Sequence, residues 1–396
     1  MLNPRLETLL DSPFRRIDRL LEPIKPPSGL KPVILTVGEP QHPQPDLLAK
    51  VLRENEHDYG TYPPIPGTPE FRRAVADWLT RRYALPAGMI EPDRHIVPVS
   101  GTREGLFLLA PAVVPETKGG GKPLVLMPNP FYQAYIGAAV AAGAEPHYVA
   151  ARAETDFLPD LASIGPANLA RAALAYVCTP TNPQSTVGDL DWLKRVILLA
   201  REHDFVVAID ECYAEIYDRA PPPGGLEACA QLGGSMKNVI VFHSLSKRSS
   251  VPGLRSGFAA GDPEVIARYT RLRFYSVAGM PMPVFAASTA LWREESHVEA
   301  NRAIYRRKFD MAQRAIGNRF GFRRPAGGFY LWLDVGDGER VAKELWGKAA
   351  IKVLPGGYMA RDVPGEVNPG KQYIRIALVA DERATQEAMQ RLAEAL

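Results

Sequence analysis

The chain has 396 residues, 46% hydrophobic and 23% charged; this is the composition of a soluble globular protein and excludes disordered and collagen-like classes. The net charge is only +3, with basic residues dispersed, so there is no electrostatic footprint for nucleic acid or an anionic membrane, and small molecules are the expected partners. The length exceeds one simple core and points to two or three domains, or one large domain with a smaller one appended.

The N-terminal stretch "MLNPRLETLLDSPFRRIDRLLEPI" carries charges throughout and lacks the apolar centre of a signal peptide, and no run reaches the roughly eighteen apolar residues of a membrane span. Cys178, Cys212 and Cys229 have no CxxC spacing and fit a reducing compartment, so a cytoplasmic location is expected. Phe14, Ile17, Leu20 and Leu21 recur at helical spacing before "PIKPPSGLKP" breaks the pattern, which predicts a short amphipathic helix in need of a surface.

From about residue 95 to 260, apolar runs alternate with helical patterns: "HIVPV", "LVLM", "LAYV", "FVVAI", "NVIVF" and "SGFAAG". Such alternation implies βαβ units, and hence an α/β fold with a mostly parallel central sheet and helices on both faces. The first five runs lead into "SGTREG", "PNPFY", "CTPTNPQS", "DECYAE" and "HSLSK". In open α/β sheets, ligands bind beyond the carboxyl ends of the strands, so these loops are expected to converge on one crevice. After about residue 280 a long charged helical pattern, "REESHVEANRAIYRRKFDMAQRAI", and the short strands "GGFYLWLDV" and "QYIRIALV" indicate a smaller α/β domain. The predicted division is 1–45 as an N-terminal helix and arm belonging to the small domain, 46–284 as the large domain and 285–396 as the C-terminal small domain.

Lys247 lies just past the apolar run "NVIVF", with Ser244, Ser246 and Arg255 close by in sequence. A partly desolvated lysine can act as a nucleophile and form a Schiff base with a carbonyl, while hydroxyls and an arginine suit a phosphate. A lysine beside a phosphate site is what pyridoxal phosphate requires. "SLSK" followed by "PGLRSG", with "TPTNPQ" upstream and "DECY" between, resembles the fold-type I pyridoxal-phosphate aminotransferases of class I/II. The likeness runs from "LTVGEP" to "IRIAL", with the motifs in the family's order and spacing. The wording "FHSLSKRSSVPGLRSGFAAGD" is most similar to one branch, the proteobacterial succinyldiaminopimelate transaminases of lysine biosynthesis.

The resemblance implies a role for each matching residue. Lys247 would anchor the cofactor and move a proton at the substrate α-carbon, and Asp210 would face the pyridine nitrogen. Asp210 also suits a helix N-cap before "ECYAEIY". Tyr213 and Asn182 would bond the cofactor 3′-oxygen, although Tyr213 also suits a core and Asn-Pro is a turn signal. Gly101, Thr102 and Arg103 match the phosphate-cradling turn at a helix start, completed by Ser244 and Arg255. Tyr132, with Phe131 as the rival, matches the aromatic that stacks on the pyridine ring. Tyr62, chosen over Tyr59 by its register to Gly67, would reach the partner subunit's phosphate, making the protein a homodimer with shared active sites and giving the N-terminal helix a surface.

Arg375 alternates with apolar neighbours on a predicted strand and needs an anion; the family supplies the substrate α-carboxylate, which Gly38 would also approach through its backbone. The implied reaction passes an amine from an amino donor to a 2-oxo acid acceptor, expected to be N-succinyl-LL-2,6-diaminopimelate and 2-oxoglutarate. The donor's distal carboxylate would need a cation, with Arg103, Arg248, Arg271 and Arg273 as candidates. Alternatives are an aminotransferase for aspartate, aromatic or branched-chain amino acids, or a pyridoxal-phosphate β-lyase. An effector sensor fused to a transcription regulator is a remoter one; it calls for a basic module of some 60 residues before the first motif, where about 34 stand. The seven histidines form no HExxH, and no metal is expected.

Overall fold

The computed structural model describes residues 2–396. Its strands in chain order are β1 (Val33–Ile34), β2 (Ile96–Val99), β3 (Leu124–Asn129), β4 (Glu145–Ala150), β5 (Ala172–Cys178), β6 (Val206–Asp210), β7 (Val239–Ser244), β8 (Gly257–Gly261), β9 (Tyr330–Asp334), β10 (Ile351–Lys352), β11 (Leu354–Pro355) and β12 (Tyr373–Ala377). Seven of them make one sheet in the order β2-β8-β7-β6-β5-β3-β4. The strands β4, β3, β5, β6 and β7 run parallel, and β8 is antiparallel to both its neighbours. All six apolar runs lie in this sheet. The seventh strand, "EPHYVA", sits at the edge with most of its side chains partly exposed, which removes the hydrophobic signal that marks the others.

Alternation along each strand sends side chains to opposite faces. Leu124, Leu126, Val207, Ile209, Val239 and Val241 join one core with Trp78, Ile197 and Trp292 from helices on that side. Val125, Met127, Ala208, Ile240 and Phe242 join another with Leu106, Leu109, Tyr135 and Tyr269. Both faces are thus covered by helices.

A third core gathers around the antiparallel sheet β11-β12-β9 and the helices Ser296–Ile316, Gly338–Ala349 and Glu382–Ala395. The N-terminal helix Pro13–Leu21 starts at Ser12, whose hydroxyl accepts from the Phe14 N–H, with Pro13 in the first turn. It buries Ile17 and Leu21 in this same core, so its apolar face lies on its own chain. The expected boundary at 284/285 falls inside the helix Met282–Arg293. Phe285 and Trp292 of that helix pack on Phe71 and Trp78 of the large core, with ring centroids 5.4 and 4.8 Å apart. After that helix the chain passes to the third core in Ser296–Ile316, through Tyr305 and Phe309; apolar spacing alone marks a helix without saying which core receives it. Among the described residues, no helix is long and apolar enough to cross a membrane.

Candidate active site

The loops after β2, β3, β5, β6 and β7 meet at a cavity of about 580 Å³ between the large sheet and the small unit. The structure brings Gly38, Thr102, Arg103, Tyr132, Asn182, Asp210, Tyr213, Ser244, Lys247, Arg255 and Arg375 to its walls. Asp210 ends β6 and is buried. Burial pushes its carboxyl above the usual range, opposed by hydrogen bonds from Cys212 and Tyr135. Tyr135 Oη donates to Asp210 Oδ2 at 3.0 Å and the Cys212 N–H to Oδ1 at 3.3 Å. The Tyr135 ring is itself fixed by stacking on Tyr176 at 4.6 Å.

Lys247 follows β7 on a single helical turn and donates through Nζ to the Gly38 carbonyl. Burial lowers its pKa to about 8; Cys212 and Glu39 oppose the shift, and Arg375 and Arg255 add to it. Gly38 itself is packed against Tyr330, whose Oη would collide with a Cβ at that position. Tyr330 Oη is 2.9 Å from Tyr213 Oη, and its ring lies beneath the Arg375 guanidinium at 4.4 Å. Arg375 projects from β12, donates to Asn182 Oδ1 at 2.9 Å and to the Thr36 carbonyl, and has a buried Nε without a partner. It makes no ion pair among the described residues, so a carboxylate from outside the chain is the group it lacks.

At the opposite wall, the helix Thr102–Val113 opens with no side-chain cap, and Gly101 before it has φ +89°. A Cβ on Gly101 would run into the Arg255 guanidinium; only glycine allows both this turn and that approach. Arg255 donates to the carbonyls of Pro252 and Ser100 at 2.8 and 3.2 Å. Ser244 Oγ accepts from the Ser246 N–H at 3.1 Å. Free helix N–H groups, a hydroxyl and an arginine without a carboxylate could hold a phosphate.

Tyr132 reaches the cavity with its hydroxyl accepting from Arg103 Nε at 2.6 Å, whereas Phe131 is buried and stacks on Tyr148. Tyr62 is 98% exposed and lies outside the cavity of its own chain. Of the arginines expected to meet a distal carboxylate, only Arg103 lines the cavity. Arg248 is buried in the large domain against the Leu291 carbonyl and Glu295, and Arg273 pairs with Glu104 at 2.6 Å; each has its charge satisfied there. Arg271 is exposed and does not line the cavity. Sequence reasoning missed Tyr330 and Tyr135. The second had a usable signal, since it follows Tyr132 by three residues at the start of a helix; the first lies in "GGFYLWL", which shows only a strand.

A mostly parallel sheet flanked by helices, with a small α/β unit at the strand ends, is the fold of the fold-type I pyridoxal-phosphate enzymes. The family described as aminotransferase class I and II matches residues 31–396. Over 400 residues the chain is 32% identical to an LL-diaminopimelate aminotransferase of Desulforudis audaxviator (strain MP104C), covering 98% of this chain and 96% of that protein. It is similar in structure to an aminotransferase from Neisseria meningitidis Z2491, with a TM-score of 0.94, 42% identity and 99% of each chain covered. A probable N-succinyldiaminopimelate aminotransferase from Thermus thermophilus is also similar, with a TM-score of 0.83, 26% identity, and 97% of this chain and 100% of that one covered. The chain belongs to the class I and II aminotransferases, enzymes that depend on pyridoxal phosphate and act on amino acids and oxo acids.

Proposed function

We propose that the protein transfers an amine from N-succinyl-LL-2,6-diaminopimelate to 2-oxoglutarate, with a homodimer as the working form. The observation that carries the transaminase site is the pairing of Lys247, held on the Gly38 carbonyl, with the buried and incompletely satisfied Arg375 across one cavity. Pyridoxal phosphate, when bound, supplies an electron sink for negative charge at the donor's α-carbon. The remaining work belongs to the chain. Lys247 would anchor the cofactor covalently and, as a neutral amine, would move the proton at the α-carbon, a role worth about 10²–10⁴ in rate.

Asp210, oriented by Tyr135 and Cys212, would hold the pyridine nitrogen. Tyr213 and Asn182 would bond the 3′-oxygen, and Tyr132 would cover the ring. The N–H groups at Gly101, Thr102 and Arg103, with Ser244 and Arg255, would hold the phosphate. Arg375 would take the substrate α-carboxylate in a planar two-point grip, and the Gly38 backbone would approach the same group. The exposed Tyr62 would extend to the partner subunit's phosphate.

For the donor, support comes from the likeness around Lys247 and from the Thermus protein. The 32% identical relative favours a second reading, LL-diaminopimelate itself; both donors share the seven-carbon diamino-diacid skeleton. A turnover panel with 2-oxoglutarate and N-succinyl-LL-diaminopimelate, LL-diaminopimelate, N-acetylornithine, aspartate, phenylalanine or leucine tests this. The succinylated donor should give the highest kcat/KM. Good turnover of aspartate with none of the succinylated donor would refute the assignment.

A further inference from the structure

Next to the cavity, and sharing Phe14, Arg103 and Tyr132 with it, lies a groove of about 650 Å³ between the N-terminal segment, the start of the helix Thr102–Val113 and the chain around 358–361. Its charges do not balance. The two carboxylates on its walls already have partners: Asp11 is held by Arg19, and Glu104 by Arg273 at 2.6 Å. Arg16, Arg103, Arg255 and Arg361 line the same groove and pair with no carboxylate among the described residues; Arg255 is the one assigned to the phosphate.

Arg16 is half-buried, with its guanidinium 3.9 Å from the Tyr358 ring centroid. Burial pushes Arg361 below the usual arginine range; Tyr148 and Asp362 oppose this, and the Arg16 charge adds to it. The Asp362 carboxylate accepts from Asn368 at 2.9 Å. Arg361 is also fixed in place. Its N–H and carbonyl bond the Asn129 side chain, both at 2.9 Å, and the Met359 carbonyl accepts from the Phe131 N–H at 3.0 Å. The residue is therefore tied to the loop that carries Tyr132. Two half-buried guanidiniums that feel each other, with no acid between them, are stabilised by an anion entering from the site they adjoin.

We propose that Arg16 and Arg361, with Arg103 at the neck between cavity and groove, form a subsite for the distal carboxylate of a long amino donor whose α-carboxylate sits on Arg375. This deepens the proposed function and rests on it for the donor's identity. The subsite also separates the two candidate donors. The far end of LL-diaminopimelate carries an ammonium beside its carboxylate and is neutral overall. The far end of the succinylated compound carries two carboxylates and no ammonium, so unpaired arginines favour it.

The test compares straight-chain diacids of six to ten carbons with monoacids of the same length, as competitive inhibitors of the holoenzyme turning over any amino donor it accepts. In the wild type the best diacid should bind about tenfold to hundredfold tighter than its monoacid, the worth of a charge-assisted hydrogen bond. Arg16→Gln and Arg361→Gln should each shrink that ratio, and the double variant should shrink it further than either, leaving only the share of Arg103. Making the substitutions singly as well as together keeps the test open if one variant loses its cofactor absorbance through misfolding. Equal inhibition by diacid and monoacid in the wild type, or an undiminished ratio in the folded double variant, would overturn the subsite. A normal diacid preference with no turnover of the succinylated donor would uphold the subsite and overturn the donor assignment instead.

Discussion

Changing pH acts directly on the group that the site is built around. Burial lowers Lys247 from an ordinary 10.5 to about 8, with Arg375 and Arg255 pushing the same way against Cys212 and Glu39. At pH 7 about one Lys247 in ten is then neutral, against about one in 3,000 for a solvated lysine. Only the neutral amine is nucleophilic. Apoprotein mixed with pyridoxal phosphate in a stopped-flow instrument between pH 6 and 10 should therefore take it up about tenfold faster per pH unit, levelling above about pH 8. Arg375→Gln removes one of the depressing charges and should move the bend to higher pH. A wild-type rate that keeps climbing tenfold per unit to pH 10 would refute the claim that burial tunes this lysine.

Three further outcomes follow from neighbouring geometry. Lys308 is fully buried, donates to the Leu378 carbonyl at 3.1 Å and sits 2.6 Å from His42 Nε2. Burial lowers it to about 7, with Glu382 and Asp381 opposing and Arg307 adding. The unfolded chain keeps that proton to about pH 10.5, so between about pH 7 and 10.5 unfolding takes up a proton. Across that window the unfolding free energy of the wild type should rise, relative to Lys308→Met, by about 1.4 kcal/mol per pH unit; parallel pH profiles in urea denaturation would contradict it. Tyr135→Phe keeps the stack on Tyr176 but removes a donor that favours the charged form of Asp210, so the acid limb of the activity profile should move to higher pH, and an unmoved limb would count against the role given to Asp210. Gly38→Ala drives a methyl into Tyr330 Oη and should lower kcat/KM at least about tenfold by displacing Tyr330 from Tyr213; wild-type activity would show that their contact is dispensable.

The parts of the fold legible in the sequence were those where burial on two faces writes a continuous apolar run. Six strands of the large sheet carried that signature, while β4 lost it at the sheet edge and the two-residue β11 was too short to show a period. The helix Pro13–Leu21 could be read from its spacing, but the identity of the surface it covers could not, because amphipathicity names a face and not its partner. At the site, Lys247, Asp210 and Arg375 stood out as charges next to apolar strands. Tyr330 gave no such sign: an aromatic on a buried strand looks the same whether it packs or supports a guanidinium. Arg248 showed the reverse difficulty, a charge beside the site in sequence that turns into the domain to bond Leu291 and Glu295.

The central claim is that Lys247 is the residue joined to the cofactor. Purified protein should be yellow; after borohydride reduction and proteolysis, mass spectrometry should find the pyridoxyl phosphate mass on the peptide containing Lys247 and on no other, and Lys247→Ala should carry none. A reduced label on a different lysine, or wild-type protein that binds no pyridoxal phosphate, would contradict the account.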